Sequence, residues 1–202
     1  MDWQGFAVAL SAIGTIVAAF LSYNQYTKNK TTDLKIEKFK KEEEAKSKRR
    51  NDSSAIVFGE LWKALYSLKA DRVYIVQPHP LGNECLLSVF FEVKRKGVEG
   101  MRSHVQEIRM SDMAKFCSDL AKNLFMYIDD VDSDVEDRYA KSLLSSYGCT
   151  AAVIKRMNDN RHDWVGSIFC EFTHKMSVPE DEARRVLHEA AMNIQYILPE
   201  YK

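Results

Sequence analysis

One stretch constrains this chain before any other. Residues 3–27 carry no charged side chain, and 6–21 are almost wholly apolar. A dense basic stretch follows at once: Lys28, Lys30, Lys35, Lys38, Lys40, Lys41, Lys46, Lys48, Arg49 and Arg50. A bilayer core needs about 20 largely apolar residues in a helix. Residues 3–23 supply 21, with Gln4, Ser11 and Thr15 among the polar interruptions. Aromatic rings stand at both ends, Trp3 and Phe6 on one side and Phe20, Tyr23 and Tyr26 on the other, where amphipathic rings favour the membrane interface. A cleaved signal peptide would put its basic residues before the apolar run and small residues after it. Here Asp2 precedes the run and aromatics follow it. The pattern predicts a retained transmembrane anchor over 1–27.

The flanks set its orientation. Residues 28–50 hold 10 Lys or Arg against 5 acidic residues, and no Lys or Arg precedes the run. The positive-inside rule then places the rest of the chain in the cytoplasm. Ala7, Ser11, Thr15 and Ala19 recur every fourth residue along the run. Small residues at this spacing let two membrane helices approach closely, so this face is the candidate for self-association.

Residues 28–53 read as an exposed helical stalk. Lys and Glu dominate it, and Glu37–Lys41, Glu42–Lys46 and Glu44–Lys48 are i,i+4 pairs in the favourable order. Next to an anchor, its first cations also suit anionic lipid headgroups. Asn51, Asp52, Ser53 and Ser54 then break the pattern and can cap a new helix.

The remaining 54–202 suffice for one domain with a real core. Residues 51–202 hold 19 Lys or Arg and 23 Asp or Glu. The chain's neutral total therefore hides a basic stalk and a mildly acidic domain, which lacks the basic face that nucleic-acid binding needs. Ile56, Val57, Leu61, Leu65 and Leu68 predict an amphipathic helix over 54–69. Residues 71–77 and 85–94 read as strands, with Pro78, His79, Pro80 and Gly82 as the turn between them. Residues 95–110 look irregular. Ser111 is placed to cap a helix over 112–123, and 124–128 suit a short strand. A helix over 133–147 would end at Gly148. Strands over 149–157 and 164–173 flank a polar turn at 158–163. Pro179 opens a last helix to about residue 198, with Glu180, Asp181 and Glu182 at its positive end. An antiparallel sheet with helices segregated from it gives an α+β fold.

The order of these elements resembles a GAF or PAS-type module. A leading helix runs straight into the first strand (LWKALYSLKADRVYIVQ), and a long crossover of helices follows the second. A closing hairpin (AAVIKRMNDNRHDWVGSIFCEF) leads into the C-terminal helix (EARRVLHEAAMNIQYIL). The resemblance covers about 54–198. It implies a module that binds a small ligand or a partner segment and signals through its terminal helices. The whole layout also resembles the single-pass holins of T-even-like bacteriophages, in which a membrane helix, a stalk and a PAS-like domain control host lysis. That resemblance implies a periplasmic domain, against the cytoplasmic one that the basic flank predicts. Those holins also keep a longer segment before the membrane helix.

Motifs for chemistry are absent. The chain has no P-loop, GxGxxG, nucleophile elbow or kinase signature. The expectation is a non-enzymatic regulator without a cofactor, with a holin-like lysis protein and an enzyme whose site carries no recognisable motif as the alternatives. Cys85, Cys117, Cys149 and Cys170 form no CxxC, and His79, His104, His162, His174 and His188 form no HxxxH pair, so no metal site is expected. Cys149 and Cys170 fall on strands expected to be neighbours, and Cys85 and Cys170 on strand faces that could be buried. Free thiols suit a cytoplasmic domain, and a disulfide suits a periplasmic one. Asp130, Asp132 and Asp134 invite a calcium loop, but Val135 stands where such a loop needs Gly and Lys141 where it needs Glu. The acidic run therefore reads as a loop and the start of a helix. A ligand pocket would be built by the sheet surface and the crossover. Its candidate residues are Arg72, Tyr74, Phe90, Glu92, His104, Arg109, Phe125 and Tyr127. The expected partners are the bilayer, a second copy of the chain, and a small-molecule or protein regulator.

Overall fold

The computed structural model describes residues 38–41, 53–81 and 84–198. The expected anchor, with Ala7, Ser11, Thr15 and Ala19, and most of the stalk lie outside the described residues. Residues 38–41 are helical. No helix among the described residues is long and apolar enough to cross a membrane. The chain divides into two compact units, Met1–Arg50 and Asn51–Lys202, and the fold below is that of the second.

Helix α1 spans 53–67. It buries Val57, Leu61, Ala64 and Leu65 along one face and exposes Ile56, Trp62 and Tyr66 on the other, as the helical spacing of its apolar residues requires. The chain then enters the first of six strands: β1 Arg72–Leu81, β2 Glu84–Lys94, β3 Ile108–Arg109, β4 Phe125–Ile128, β5 Ala151–Asn158 and β6 Trp164–Phe172. They form one sheet in the order β3-β2-β1-β6-β5-β4. All five neighbour pairs are antiparallel. Between β3 and β4 lie a 3-10 turn at Met110–Met113 and helix α2 at Ala114–Lys122. Helices α3 Val131–Asp134 and α4 Arg138–Ser146 follow β4, and α5 spans Glu180–Ile194.

Alternation along the strands gives the sheet two apolar faces. Val73, Ile75, Val153, Ile168 and Cys170 pack under α1 and α5. Tyr74, Leu87, Val89, Ile154 and Phe169 pack under the crossover and α2–α4. The α+β class and the antiparallel sheet agree with the sequence. The helices are not gathered on one side, because both faces of the sheet are apolar and each needs a cover.

Several local expectations need correction. Pro78 and Pro80 do not turn the chain: β1 runs on through both of them to Leu81, opposite β2. The two prolines stand two residues apart, so their missing donors fall on one edge of the strand. Past Val76, β1 is paired with β2 alone, which leaves the other edge with no ladder to break. Ser111 caps nothing; it lies inside the 3-10 turn, and α2 starts after Met113 without a side-chain cap. The helix expected over 133–147 is two helices. Asp130 accepts from the Asp132 N–H to start α3, and Asp137 accepts from Tyr139 and Ala140 to start α4, because Asp side chains compete well for orphan N–H groups. The acidic run is thus a pair of caps. Gly148, at φ 74°, ends the second helix in a conformation that favours glycine. Cys149 precedes β5 instead of lying on it, and Cys85 is exposed. All four thiols are free.

Asp71 fastens the start of β1 to the end of β6. Its carboxylate accepts from the Thr173 N–H at 2.7 Å and the Thr173 hydroxyl at 2.8 Å, and His174 Nδ1 lies 3.0 Å away. Burial works against ionisation there, but the Thr173 hydrogen bonds and His174 outweigh it and hold the carboxyl below its ordinary value. A carboxyl lowered on folding stabilises the fold above its unfolded pKa, and that contribution is lost as pH falls through the folded value. Asp71→Asn is therefore expected to cost about 1–3 kcal/mol at neutral pH. It should also lose less stability than wild type on acidification below about pH 4, as urea denaturation across pH would show.

Candidate functional site

The crossover face of the sheet carries charge where an apolar layer would be expected. Arg72 on β1 stands directly opposite Glu171 on β6, and Tyr74 opposite Phe169. All four side chains point to the same face, and Arg72 and Glu171 are fully buried. Arg72 Nε donates to Glu171 Oε2 at 2.5 Å, and a terminal nitrogen completes the ion pair with the same carboxylate. The other terminal nitrogen, Nη1, donates to the carbonyl of Glu99 at 2.9 Å and to that of Tyr147 at 3.0 Å. Tyr74 donates its hydroxyl proton to Glu171 Oε1, and its ring stacks on Phe169 with centroids 5.1 Å apart.

One guanidinium thus joins the two central strands to two loops, the 95–107 crossover and the turn after α4. Its planar array of donors permits this. Burial pushes the Glu171 carboxyl above its ordinary value, against the pull of Arg72 and the hydrogen bond from Tyr74. Burial and the facing carboxylate push the Tyr74 phenol well up, so it stays a donor. Cys149, beside the pair, is also raised by burial and by Glu171. A thiol held protonated is a poor nucleophile.

The crossover loop is tied down around this node. Glu92 on β2 accepts from the backbone N–H groups of Met101 at 2.5 Å and Arg102 at 3.2 Å. Gly100 makes that approach feasible: a Cβ there would fall 2.6 Å from Glu92 Oε2. His104 stacks on Tyr147, with ring centroids 4.1 Å apart, and places Nε2 3.1 Å from Glu99 Oε1. Arg72, Tyr74, Glu92 and His104, four of the residues expected at a pocket, are therefore gathered around residues 99–104. The others are elsewhere. Arg109 sits at the sheet edge and pairs with Asp112 at 3.1 Å. Tyr127 donates its hydroxyl to the Val178 carbonyl at 2.8 Å. Phe125, with Arg184 above its ring at 4.4 Å, and Phe90 pack with the core under α1 and α5.

Beside the node, between sheet and crossover, is a cavity of about 30 Å³. Tyr74, Leu87, Met101, Phe116, Leu144 and Phe169 are among its walls, and no charged side chain lines it. Sequence reasoning missed Glu171, Glu99 and Tyr147. Glu171 had a signal: it is the one charged residue in the strand WVGSIFCEF. Glu99 and Tyr147 act through backbone carbonyls, which no side-chain pattern reveals. Among the described residues no cluster of His, Cys, Asp or Glu could hold a metal ion.

No family model and no curated protein matches this chain. Solved structures do. The blue-light absorbing PixJ GAF domain of Thermosynechococcus elongatus aligns over 74% of this chain and 86% of its own, with TM-score 0.59 and 15% identity. A phycocyanobilin-bound GAF domain from a cyanobacterial phytochrome covers 72% of this chain and 85% of its own, with TM-score 0.56 and 18% identity. A far-red cyanobacteriochrome photoreceptor aligns over 82% of this chain and 100% of its own, with TM-score 0.58 and 13% identity. The domain has a GAF-like fold. Within it, the Arg72 node sits where the crossover meets the central strands.

A buried ion pair loses most when only one partner is removed, because the other charge is left unpaired. Arg72→Met should cost about 3–5 kcal/mol. The double variant Arg72→Met/Glu171→Leu should cost less than the sum of its single variants by at least about 1 kcal/mol. A double-mutant cycle by urea denaturation reads this coupling directly.

Proposed function

We propose that this protein is a membrane-anchored, non-enzymatic regulator whose GAF-like domain receives a small apolar ligand or an apolar partner side chain under the crossover. The observation that carries the reading is the cavity: an uncharged space between a sheet and a crossover loop that one buried arginine holds in place. Sites of this kind combine apolar walls with few polar groups. The anchor rests on the apolar run at 3–23 and its basic flank, which support a domain at the cytoplasmic face and self-association through Ala7, Ser11, Thr15 and Ala19. Nothing among the described residues favours the lysis reading.

A bilin, as bound by the phytochrome GAF domain, does not fit the residues present here. The cavity of about 30 Å³ is far below the roughly 300–1,000 Å³ of ligand pockets. Its walls offer no cation for a carboxylate. The neighbouring thiol of Cys117 is pushed up to about 12 by burial and by Asp137, which keeps it from acting as a thiolate. A ligand for this site is small and uncharged.

Xenon, a small apolar atom, is a suitable probe. Under pressure it should bind the full-length protein saturably by nuclear magnetic resonance, and Ala140→Val, which fills the cavity wall, should abolish that binding. Phycocyanobilin should give no coloured adduct. The same protein should stay with the membrane after alkaline extraction. Saturable xenon binding unchanged in Ala140→Val, or a stable bilin adduct, would overturn the reading.

A further inference from the structure

The mildly acidic total of the domain hides a basic corner. Lys94, Arg95 and Lys96 stand in a row where β2 ends and Gly97 turns the chain. Lys69 follows α1, and His174 and Lys175 follow β6. Hydrogen bonds bring these three segments together. Arg95 donates its backbone N–H to the Asp71 carbonyl at 2.8 Å and its Nε–H to the Ala70 carbonyl at 2.8 Å. Asp71 in turn holds His174 Nδ1 at 3.0 Å. Lys69, Lys94, Arg95, Lys96 and Lys175 are therefore gathered at one end of the adjacent strands β2, β1 and β6, and all five are exposed.

Little in the domain answers these charges. Asp71 is the acid at their centre, but its side chain is 11% exposed and already accepts from Thr173. Glu99 faces His104 at 3.1 Å. Lys69, Lys96 and Lys175 form no ion pair among the described residues. The acidic run at 129–137 starts just after β4, which lies two strands from β6, three from β1 and four from β2. At about 4.8 Å per strand that is roughly 10–19 Å, beyond a Debye length of about 8 Å in physiological salt. Glu180, Asp181 and Glu182 begin α5 on that same side, where Tyr127 of β4 bonds the Val178 carbonyl. Local structure does not call for the cations either. Lys69 sits at φ 55°, in a helix end closed by bonds from Lys69 and Ala70 to the Tyr66 and Leu65 carbonyls, a position that favours glycine.

Clustered cations without counter-charges complement a surface of many anions. We propose that this corner docks on anionic phospholipid headgroups, as a membrane contact of the folded domain in addition to the anchor. A cluster of about four to eight Lys or Arg suits such a surface, and five stand here. The choice of a bilayer as the anionic surface rests on the anchor reading, since the apolar run at 3–23 would hold the chain at one. Docking fixes the orientation of the domain on the membrane and makes it sensitive to lipid charge and to salt. The corner is separate from the cavity under the crossover, and neither reading falls with the other.

The test reconstitutes the full-length protein in vesicles of phosphatidylcholine alone, or of phosphatidylcholine and phosphatidylglycerol in equal parts. Lysine acetylation by an N-hydroxysuccinimide ester is then read by mass spectrometry. Lys69, Lys94 and Lys96 should react at least about threefold more slowly in the anionic vesicles, and high salt should restore their rates. Lys122, exposed at the end of α2 where β4 begins, should react alike in both. Lys96→Gln/Lys175→Gln should keep the Tm within about 2 °C and release Lys69 and Lys94 from protection. Equal rates in the two vesicle types, or protection that persists in the double variant or in high salt, would overturn the proposal. So would protection by polyglutamate or an oligonucleotide in neutral vesicles with none from phosphatidylglycerol. Flotation with neutral vesicles reads the anchor separately, and its loss would count against the anchor alone.

Discussion

A buried guanidinium opposite a buried carboxylate is the constraint on which the arrangement of this domain turns. Arg72 and Glu171 sit on adjacent central strands, fully removed from water. Such a pair adds little net stability over apolar residues of similar size, because desolvation offsets much of the attraction. Its consequence is specificity of placement. A one-residue slip of β1 against β6 would turn Arg72 to the other face, under α1 and α5, and leave Glu171 buried without its partner. The Arg72 donors left over then fix the carbonyls of Glu99 and Tyr147. Register, crossover and the turn after α4 are set by one side chain.

That side chain also shapes the space under the crossover. Held down by Arg72, Glu92 and the His104–Tyr147 stack, the 95–107 segment closes over an uncharged cavity. The polar groups around it are satisfied internally: Glu171 by Arg72 and Tyr74, and Glu92 by two backbone N–H groups. Little remains to hold a charged ligand. The face under α1 and α5 differs, with an open cavity whose walls include small side chains and charged residues of both signs. The two faces of this GAF-like frame thus differ in chemistry.

Much of the frame was legible in the sequence, and particular residues show why. The stripe Val57, Leu61, Leu65 and Leu68 gives α1 because apolar spacing is a local signal. Gly148 marks a helix end because few other residues tolerate its φ. The polar turn at 158–163 lies between two β-rich runs and joins β5 to β6 as expected. What failed depends on neighbours distant in sequence. Pro78 and Pro80 look like a turn until β6 is seen to leave β1 at Val76. The acidic run reads as one helix start until Asp130 and Asp137 are seen to cap two. Arg72, Tyr74, Glu92 and His104 were found as polar or aromatic residues on or beside strands. Arg109, Tyr127, Phe90 and Phe125 met the same criterion and went elsewhere, since strand parity alone does not say which face carries the crossover. Glu171 was missed because its meaning comes from a partner 99 residues away.

The most direct test of the central claim is amide hydrogen exchange across residues 95–107 in the full-length protein and in Arg72→Lys. Lysine keeps the charge opposite Glu171 but lacks the fork that reaches two carbonyls. The account predicts that protection falls at least about tenfold in 95–107 and in the turn after α4, while β1, β6 and α5 exchange as in wild type. Unchanged protection of both loops in a folded Arg72→Lys variant would contradict it.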